Sequence, residues 1–206
     1  MSKRKDSDKY HRIIKAATKI FAKKGFYQAR ICDIAREAQV ADGTIYIYFE
    51  SKDDILISLF EEQMKVVLEN MMAQISRQQD PMKKLERFAL IHLQLIEQNK
   101  SMAEIIQVEL RQSSKFMKEY ENRQFAQYLE LIGDIIREGQ EKGVFREEVI
   151  PGVAKRAFFG ALDEMSRFWV LSSHKRYDIK TAAQQISMYF LNGIRKDQDH
   201  CERRKQ

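Results

Sequence analysis

The sequence is short of the residues that let a chain turn tightly. It contains 8 glycines and 2 prolines among 206 residues, where average usage would supply about 25. Sheets need frequent tight turns, and phosphate-binding loops need glycine at fixed positions, so the composition disfavours both. Because 44% of the residues are hydrophobic, the chain can bury a core. We therefore expect an all-α protein.

Long apolar runs and paired cysteines are missing as well. The longest stretch without Asp, Glu, Lys or Arg is the 14-residue segment 181–194, whereas a membrane-spanning helix needs about 20 residues. The charged N-terminus leads into an amphipathic segment and not into an apolar signal core. Cys32 and Cys201 are the two cysteines, which suggests neither a disulfide framework nor a metal site. We expect a cytoplasmic protein without a metal or cofactor.

Enzyme motifs are absent too. The sequence has no GxSxG, GxxxxGK[ST], GxGxxG or HExxH pattern, so the usual nucleophile elbow, phosphate loops and zinc site are not indicated. The four histidines are scattered, and His92, on an apolar helix, is more typical of a hydrogen-bonded core residue than of a catalyst. The sequence does not predict an enzyme.

Positive charge is concentrated at the start of the chain. Residues 1–50 hold 11 Lys and Arg against 6 Asp and Glu, whereas residues 51–206 hold 25 against 24. Such an asymmetry suggests a polyanionic partner for the first quarter, either nucleic acid or an anionic membrane surface.

Apolar periodicity and capping residues predict about nine helices. Gly25 is expected to end the first and Gly143 the seventh. The expected helix starts are Ser7, Ile31, Asp42, Ser51, Pro81, Ser101, Ser114, Pro151 and Asp178. Near Ser51 the short basic helices give way to long ones, so we place a domain boundary between residues 1–51 and 52–206.

Residues 30–52 read RICDIAREAQVADGTIYIYFESK and predict a helix-turn-helix. Ile34 and Ala35 give the first short helix an apolar face, and Ile45 buries the second against the same core. The second helix of such a motif lies in the DNA major groove. Gly43, without a side chain, lets backbone N–H groups at that helix N-terminus approach a phosphate, and we expect Asp42 to cap the helix.

This stretch resembles the DNA-binding domain of the tetracycline-repressor (TetR) family. The resemblance rests on Ala16–Phe26, Asp33–Ala35 and Gly43–Leu56. It implies a three-helix DNA-binding domain followed by a larger helical ligand-binding and dimerisation domain. The implied DNA contacts are Gln28, Arg30, Gly43, Thr44, Tyr46, Tyr48 and Lys52, with Lys52 on a phosphate. Tyr48 stays open between DNA contact and a core position beside Phe49.

One position departs from the family pattern. Gln39 stands in the turn where helix-turn-helix domains prefer glycine. A non-glycine residue with a positive φ there would cost about 1 kcal/mol.

The helix expected from Pro151 is apolar nearly all round, which predicts burial on more than one side. One face can line a cavity while another packs against a partner. The TetR resemblance implies a two-fold dimer built from the last two helices, and a monomeric helical core is the alternative. The implied dimer residues are Val153, Ala157, Ala161, Phe168, Ile186 and Phe190.

The second part of the chain also suggests a deformable apolar pocket, because the sequence has 9 Met and 12 Phe. Its candidate apolar lining is Met102, Ile106, Leu110, Phe116, Phe125, Leu129, Phe159, Leu162 and Trp169. Arg111, Arg123 and Asp163 are the polar candidates, and each either forms a structural ion pair or meets a charged ligand group.

Three segments resemble a subgroup of the TetR family, the fatty-acid-degradation repressors called FadR. They are Val40–Phe60, Val108–Ser113 and Phe158–Trp169. This resemblance implies a repressor that long-chain acyl-CoA releases from an inverted-repeat operator. The alternatives are a TetR-type regulator of another pathway, such as efflux, that senses a different hydrophobic ligand, and a helical lipid- or acyl-binding protein that docks on anionic membrane.

Overall fold

The computed structural model describes residues 2–109, 113, 121, 123–172 and 177–196. These residues form nine α-helices and a five-residue π-helical turn, Ile105–Glu109. No strand occurs among them, although one isolated antiparallel bridge joins Phe145 to Arg195. The expected all-α fold is confirmed. The helices are α1 Ser2–Gln28, α2 Ile31–Ala38, α3 Asp42–Tyr48, α4 Lys52–Ile75, α5 Pro81–Gln98, α6 Lys100–Glu104, α7 Arg123–Glu141, α8 Pro151–Leu171 and α9 Ile179–Ile194.

Several helices begin where expected, and a side chain caps each of them. The Ser51 hydroxyl accepts a hydrogen bond from the Asp54 backbone N–H at 3.2 Å, and the Asp80 carboxylate accepts one from the Met82 N–H at 2.9 Å. Asp178 accepts from the Thr181 N–H at 2.6 Å. Each side chain satisfies an N–H group that the first helical turn leaves without a backbone partner.

The start or the cap of four helices differs from the expectation. Helix α1 already includes Ser2, five residues before the expected start. At Gly25 the backbone leaves the helical region, with φ 73° and ψ 161°. The first continuous helix therefore stops at Gly25 as expected, and a separate helical turn follows to Gln28. Ala41, without a side-chain cap, precedes α3, so Asp42 is its first residue and not its cap. A hydrogen bond from the Met102 N–H to Asn99 caps α6, so Asn99 takes the place expected for Ser101.

The seventh helix is the fourth case. It begins at Arg123, and Glu121 is not helical. Residues 114–120 and 122, where we expected its start, lie outside the described residues.

The chain divides into two compact units. The first unit comprises Met1–Val67 and Leu95–Asn122; the second comprises Leu68–Gln94 and Arg123–Gln206. In the first unit, α2 packs on α1 and α3, and α6 and the π-helical turn lie against α1. In the second, α8 packs on α7 and α9. The functional boundary at Ser51 stays a prediction.

Each unit buries apolar side chains of its own. Fully buried side chains in the first unit include Ile13, Phe21, Ile34 and Ile45, and those in the second include Phe88, Ile132, Phe158 and Leu162. No helix in the described part of the chain has an apolar stretch long enough to cross a membrane.

Candidate functional site

Two ion pairs attach α2 to α1. Lys24 Nζ lies 2.8 Å from the carboxylate of Asp33, and Lys19 Nζ lies 2.7 Å from that of Glu37. Asp33 also accepts the backbone N–H of Arg30 at 3.3 Å. The hydrogen bond from Lys24, more than that from Arg30, lowers the pKa of Asp33. These contacts orient the first helix of the helix-turn-helix.

A three-residue turn, 39–41, connects α2 to α3. Gln39 has φ 56° and ψ 49°, and it is the one non-glycine residue with a positive φ in the described ranges. Its N–H donates to the Arg36 carbonyl at 3.2 Å, and the Val40 N–H donates to the Ala35 carbonyl at 3.0 Å. The turn therefore ends α2 with a left-handed residue, as helix ends commonly do, and Gln39 has the positive φ that the sequence suggested.

One side of helix α3 is buried and the other is exposed to solvent. Ile45 is fully buried, whereas Tyr46 is 60% and Ile47 75% exposed. Gly43 is exposed, and a Cβ built on it would meet no atom within 4 Å. The protein's own packing thus leaves room at the N-terminus of α3, where N–H groups and the helix dipole favour an anion.

Ile47 was not among the residues that we selected from the sequence. Adjacent helical residues point about 100° apart, so Ile47 turns away from buried Ile45 and lies beside Tyr46 on the exposed side. The helical period of α3 was the signal that could have identified it. Gln28 and Arg30, at the junction of α1 and α2, are exposed as well, and Thr44 is half-buried.

Two aromatic residues at the end of α3 differ in burial. Phe49 is buried and stacks on Tyr10, with ring centroids 5.3 Å apart. Tyr48 is half-buried, and its ring centroid lies 6.3 Å from that of Tyr10. Burial, followed by the charge of Glu62, raises the pKa of Tyr10. Phe49 is a core residue as expected, while the role of Tyr48 in DNA contact stays a prediction.

The ammonium group of Lys52 is bound within the protein. It donates to the carbonyls of Phe26 at 2.6 Å, Ala29 at 3.0 Å and Tyr27 at 3.2 Å. It also lies 4.5 Å from the Phe26 ring centroid, a cation–π distance, and desolvation lowers its pKa. Lys52 therefore ties the start of α4 to the end of α1. A phosphate contact by Lys52 stays a prediction.

The segment after the π-helical turn reaches the same end of α4. The buried Ser113 hydroxyl donates to the Asp53 carboxylate at 2.5 Å. Ser113 closes the VELRQS segment that resembles a ligand domain, so this hydrogen bond joins that segment to the first turn of α4. Leu110 and Arg111, in the same segment, lie outside the described residues, as does Phe116.

The other expected ligand residues fall into both units. Met102 is buried and Ile106 half-buried in the first unit. In the second unit the Phe125 and Phe159 rings meet edge to face at 5.2 Å. Leu162 and Trp169 are buried, Leu129 and Asp163 are half-buried, and Arg123 is exposed. A ligand role for these residues stays a prediction.

A polar chain crosses the aromatic part of the second unit. His92 Nδ1 lies 2.7 Å from the Tyr128 hydroxyl, and His92 Nε2 lies 3.2 Å from the Ser166 hydroxyl. Ser166 donates in turn to the Leu162 carbonyl at 2.9 Å. Desolvation lowers the pKa of His92 to about 4 against the opposing charge of Asp163, and burial raises the pKa of Tyr128. His92 is thus the hydrogen-bonded core histidine that the sequence suggested.

The expected dimer residues differ in exposure. Val153 and Phe168 are 63% and 42% exposed, and Ala157 and Ala161 are exposed between them on α8. Ile186 and Phe190 are half-buried on α9, and the Phe190 ring lies 4.6 Å from that of Phe158 within the same chain. Dimerisation through these residues stays a prediction.

Comparison with known proteins decides the family. Residues 13–59 match the bacterial regulatory proteins of the tetR family, and residues 60–193 match the C-terminal region of YsiA-like proteins. The chain belongs to the TetR family. It is a helix-turn-helix DNA-binding transcriptional regulator and not an enzyme.

Within the TetR family, similarity extends along most of the chain. The fatty acid metabolism regulator protein of Bacillus subtilis is 35% identical over 186 residues, which cover 90% of this chain and 95% of that protein. The structure of the fatty acid degradation regulator FadR from Bacillus halodurans is 36% identical, with a TM-score of 0.82, and covers 90% of this chain and 95% of its own.

The structure of FadR from Bacillus subtilis in complex with stearoyl-CoA is 34% identical, with a TM-score of 0.82. It covers 90% of this chain and 99% of its own. The resemblance to FadR-type regulators is therefore confirmed over both the DNA-binding and the C-terminal regions.

Proposed function

We propose that this TetR-family regulator is a homodimeric repressor of fatty-acid metabolism genes, released from its operator by long-chain acyl-CoA. The observation that carries the proposal is the similarity to Bacillus subtilis FadR, a protein solved in complex with stearoyl-CoA, over 90% of this chain. At 34% identity and a TM-score of 0.82, the likeness includes the ligand-binding half of the molecule and not the DNA-binding helices alone.

The proposed DNA surface is the exposed side of α3 with the residues that flank α2. Gly43 and Thr44 bring the helix N-terminus to a phosphate, and Tyr46 and Ile47 extend into the major groove. Phosphate contacts position such a helix, whereas contacts with base edges, including the thymine methyl group, give sequence preference. Gln28 and Arg30 complete the phosphate contacts, and Tyr48 lies at the edge of this surface. Lys52, whose three N–H groups donate to carbonyls of the protein, adds its positive charge beside the phosphate.

The proposed dimer forms through the exposed stripe of α8 with α9. Val153 and Phe168 are large apolar side chains on a solvent-facing helix surface, and Ala157 and Ala161 between them allow a second helix to approach closely. Contiguous exposed apolar side chains of this kind mark interfaces. A two-fold dimer then pairs two α3 helices with an operator of matching symmetry.

The proposed effector occupies the apolar region of the C-terminal part. An acyl chain suits an interior lined by Phe125, Phe159, Leu162 and Trp169 of the second unit. A ligand changes DNA affinity only when it binds one arrangement of the helices better than another. The arrangement favoured by acyl-CoA would change the direction of α4 and, with it, the spacing of the two α3 helices.

The test is a binding titration on the full-length protein. DNase protection first locates an inverted repeat, and fluorescence anisotropy then follows operator release by stearoyl-CoA, with free stearate and free coenzyme A as matched controls. We expect release by stearoyl-CoA at concentrations at least tenfold lower than by either control. If stearoyl-CoA leaves the operator complex intact and another hydrophobic compound dissociates it, the protein is still a ligand-responsive regulator, but acyl-CoA is not its effector.

Two variants test the assigned surfaces. Tyr46→Ala should weaken operator binding at least tenfold without changing the fold measured by circular dichroism. Val153→Glu should convert the dimer to a monomer in sedimentation velocity and weaken operator binding with it. A Tyr46→Ala protein with wild-type operator affinity would remove Tyr46 from the DNA surface, and a Val153→Glu protein that remains dimeric would remove α8 from the interface.

A further inference from the structure

A cleft of about 440 Å³ lies between α5 and α9 in the second unit. Its size falls within the range of small-molecule sites, about 300–1,000 Å³. None of its lining residues belongs to the proposed DNA surface, the apolar ligand region or the dimer stripe. The lining includes Lys83, Glu86, Arg87 and Leu90 of α5 and Lys180 and Ser187 of α9.

The cleft carries more positive than negative charge. Lys83 and Glu86 pair at 2.7 Å and balance each other. Arg87 and Lys180 add two further positive charges from opposite walls. Arg87 donates one N–H to the Gln74 side-chain oxygen at 2.7 Å, which holds the guanidinium in place and uses one of its five donors. The fixed guanidinium and the nearby ammonium favour an anion in the cleft.

A buried hydroxyl group faces the same cleft. Ser187 is 2% exposed, and within the described part of the chain its Oγ has no hydrogen-bond partner. Ser166, the buried serine of α8, instead donates to the carbonyl four residues earlier and contacts His92. Because buried polar groups are normally paired, the unpaired hydroxyl of Ser187 indicates a polar ligand atom in the cleft.

We propose that the cleft between α5 and α9 binds the phosphate group of an organic phosphate. The Arg87 guanidinium and the Lys180 ammonium neutralise its charge, and the Ser187 hydroxyl donates to one of its oxygens. A guanidinium suits phosphate because two of its N–H groups match two phosphate oxygens, and an ammonium adds a compact charge. The rest of the cleft, including the apolar side chain of Leu90, is large enough for the organic part.

Two sources supply this chemistry. The phosphate can belong to the coenzyme A part of the effector, in which case the inference rests on the proposed function. It can also belong to an independent organic phosphate, and the inference then stands apart from that function.

The binding test uses calorimetry on the full-length protein with adenosine 3′,5′-bisphosphate as the probe and inorganic phosphate as the smaller comparison. The variants are Arg87→Gln with Lys180→Gln, and Ser187→Ala; Lys196→Gln, an exposed lysine outside the cleft, is the matched control. We expect the bisphosphate to bind more tightly than inorganic phosphate, and the double variant to lose at least tenfold in affinity. Ser187→Ala should lose several-fold, and the control should bind as the wild type does.

Wild-type protein that binds no bisphosphate, or a double variant with unchanged affinity, overturns the inference. Thermal melts of each variant check that the second unit remains folded, and Ser187→Ala, which removes one oxygen atom, keeps the test valid if the double variant unfolds.

Operator release distinguishes the two sources. If the phosphate belongs to coenzyme A, the folded double variant needs at least tenfold more stearoyl-CoA than the wild type to release DNA. If release is unchanged while bisphosphate affinity falls, the ligand is an independent organic phosphate. Failure of stearoyl-CoA to release DNA from the wild type counts against the proposed function alone, because bisphosphate binding is measured without DNA.

Discussion

Helices α3 and α8 use their surfaces in opposite ways. The seven-residue α3 buries Ile45 and exposes Tyr46 and Ile47, so the side chains that meet a partner are separate from the one that holds the helix. In α8 the buried face, which includes Phe158, Leu162, Ser166 and Trp169, is also the face next to the proposed ligand. Stability and DNA recognition should therefore separate in α3, whereas stability and ligand recognition should remain coupled on the buried face of α8.

The largest effect should come from the neighbouring isoleucines of α3. Ile45→Ala should lower the free energy of unfolding by about 2–5 kcal/mol, because Ile45 is fully buried. Ile47→Ala should change that free energy by about 0.5 kcal/mol or less, yet weaken operator binding several-fold. Urea denaturation and anisotropy measure the two quantities. Equal losses of stability in the two variants would contradict the separation.

The hydrogen-bonded histidine of α5 should make the second unit sensitive to acid. The folded pKa of His92, about 4, lies below the unfolded value of about 6.5. Between these values the unfolded chain binds more protons than the folded one, so the free energy of unfolding falls as the pH falls. The contribution is fully present above pH 6.5, and at most about 3 kcal/mol is lost by pH 4.

His92→Gln is the variant for this test, because an amide keeps hydrogen-bonding capacity without taking up a proton. Urea denaturation between pH 4 and 7 should show a shallower loss of stability for the variant than for the wild type. Identical pH slopes would mean that His92 is solvated or protonated in the folded protein.

Alanine at two glycines should have different effects: one substitution lowers stability and the other weakens operator binding. A Cβ at Gly139 would overlap the ring of Phe145, which is fully buried, so Gly139→Ala should cost about 1–3 kcal/mol. Gly43→Ala meets no neighbour and should leave stability unchanged or raise it by up to about 1 kcal/mol. Its added methyl group should nevertheless weaken operator binding, and wild-type affinity would show that DNA does not approach Gly43.

Lys52 has both a structural role and a predicted role in DNA binding. Lys52→Met retains the side-chain stem and removes the hydrogen bonds to three carbonyls at the end of α1, and we expect a loss of about 1–2 kcal/mol in thermal or urea unfolding. If Lys52 also contacts a DNA phosphate, the variant should show a second change. The plot of the logarithm of the operator-binding constant against the logarithm of the salt concentration should become less steep by about 0.9. An unchanged salt slope together with lower stability would assign Lys52 to the fold alone.

Local signals made the DNA-binding part predictable. The positive φ of Gln39, the burial of Ile45 and the cap formed by Ser51 each depend on residues within a few positions in the sequence. Lys52 was harder, because its carbonyl partners lie 23 to 26 residues earlier in the chain. The sequence pattern identified a cation at the right position without revealing that the protein itself binds it.

The second unit depends on contacts between distant segments. The chain from Tyr128 through His92 to Ser166 combines α7, α5 and α8, and apolar periodicity carries no information on which polar residues meet across helices. Likewise, Ser187 and Arg87 lie 100 positions apart yet line one cleft. Periodicity predicted the helices of this unit, but only their packing brings these side chains together.

Native mass spectrometry of the full-length protein with an operator duplex and stearoyl-CoA tests the central claim most directly. Without ligand we predict a complex of one duplex and two protein chains. Adding stearoyl-CoA should replace it with free duplex and with protein dimers that carry the ligand. A duplex complex that persists with stearoyl-CoA bound, or protein that binds no stearoyl-CoA, would contradict the account.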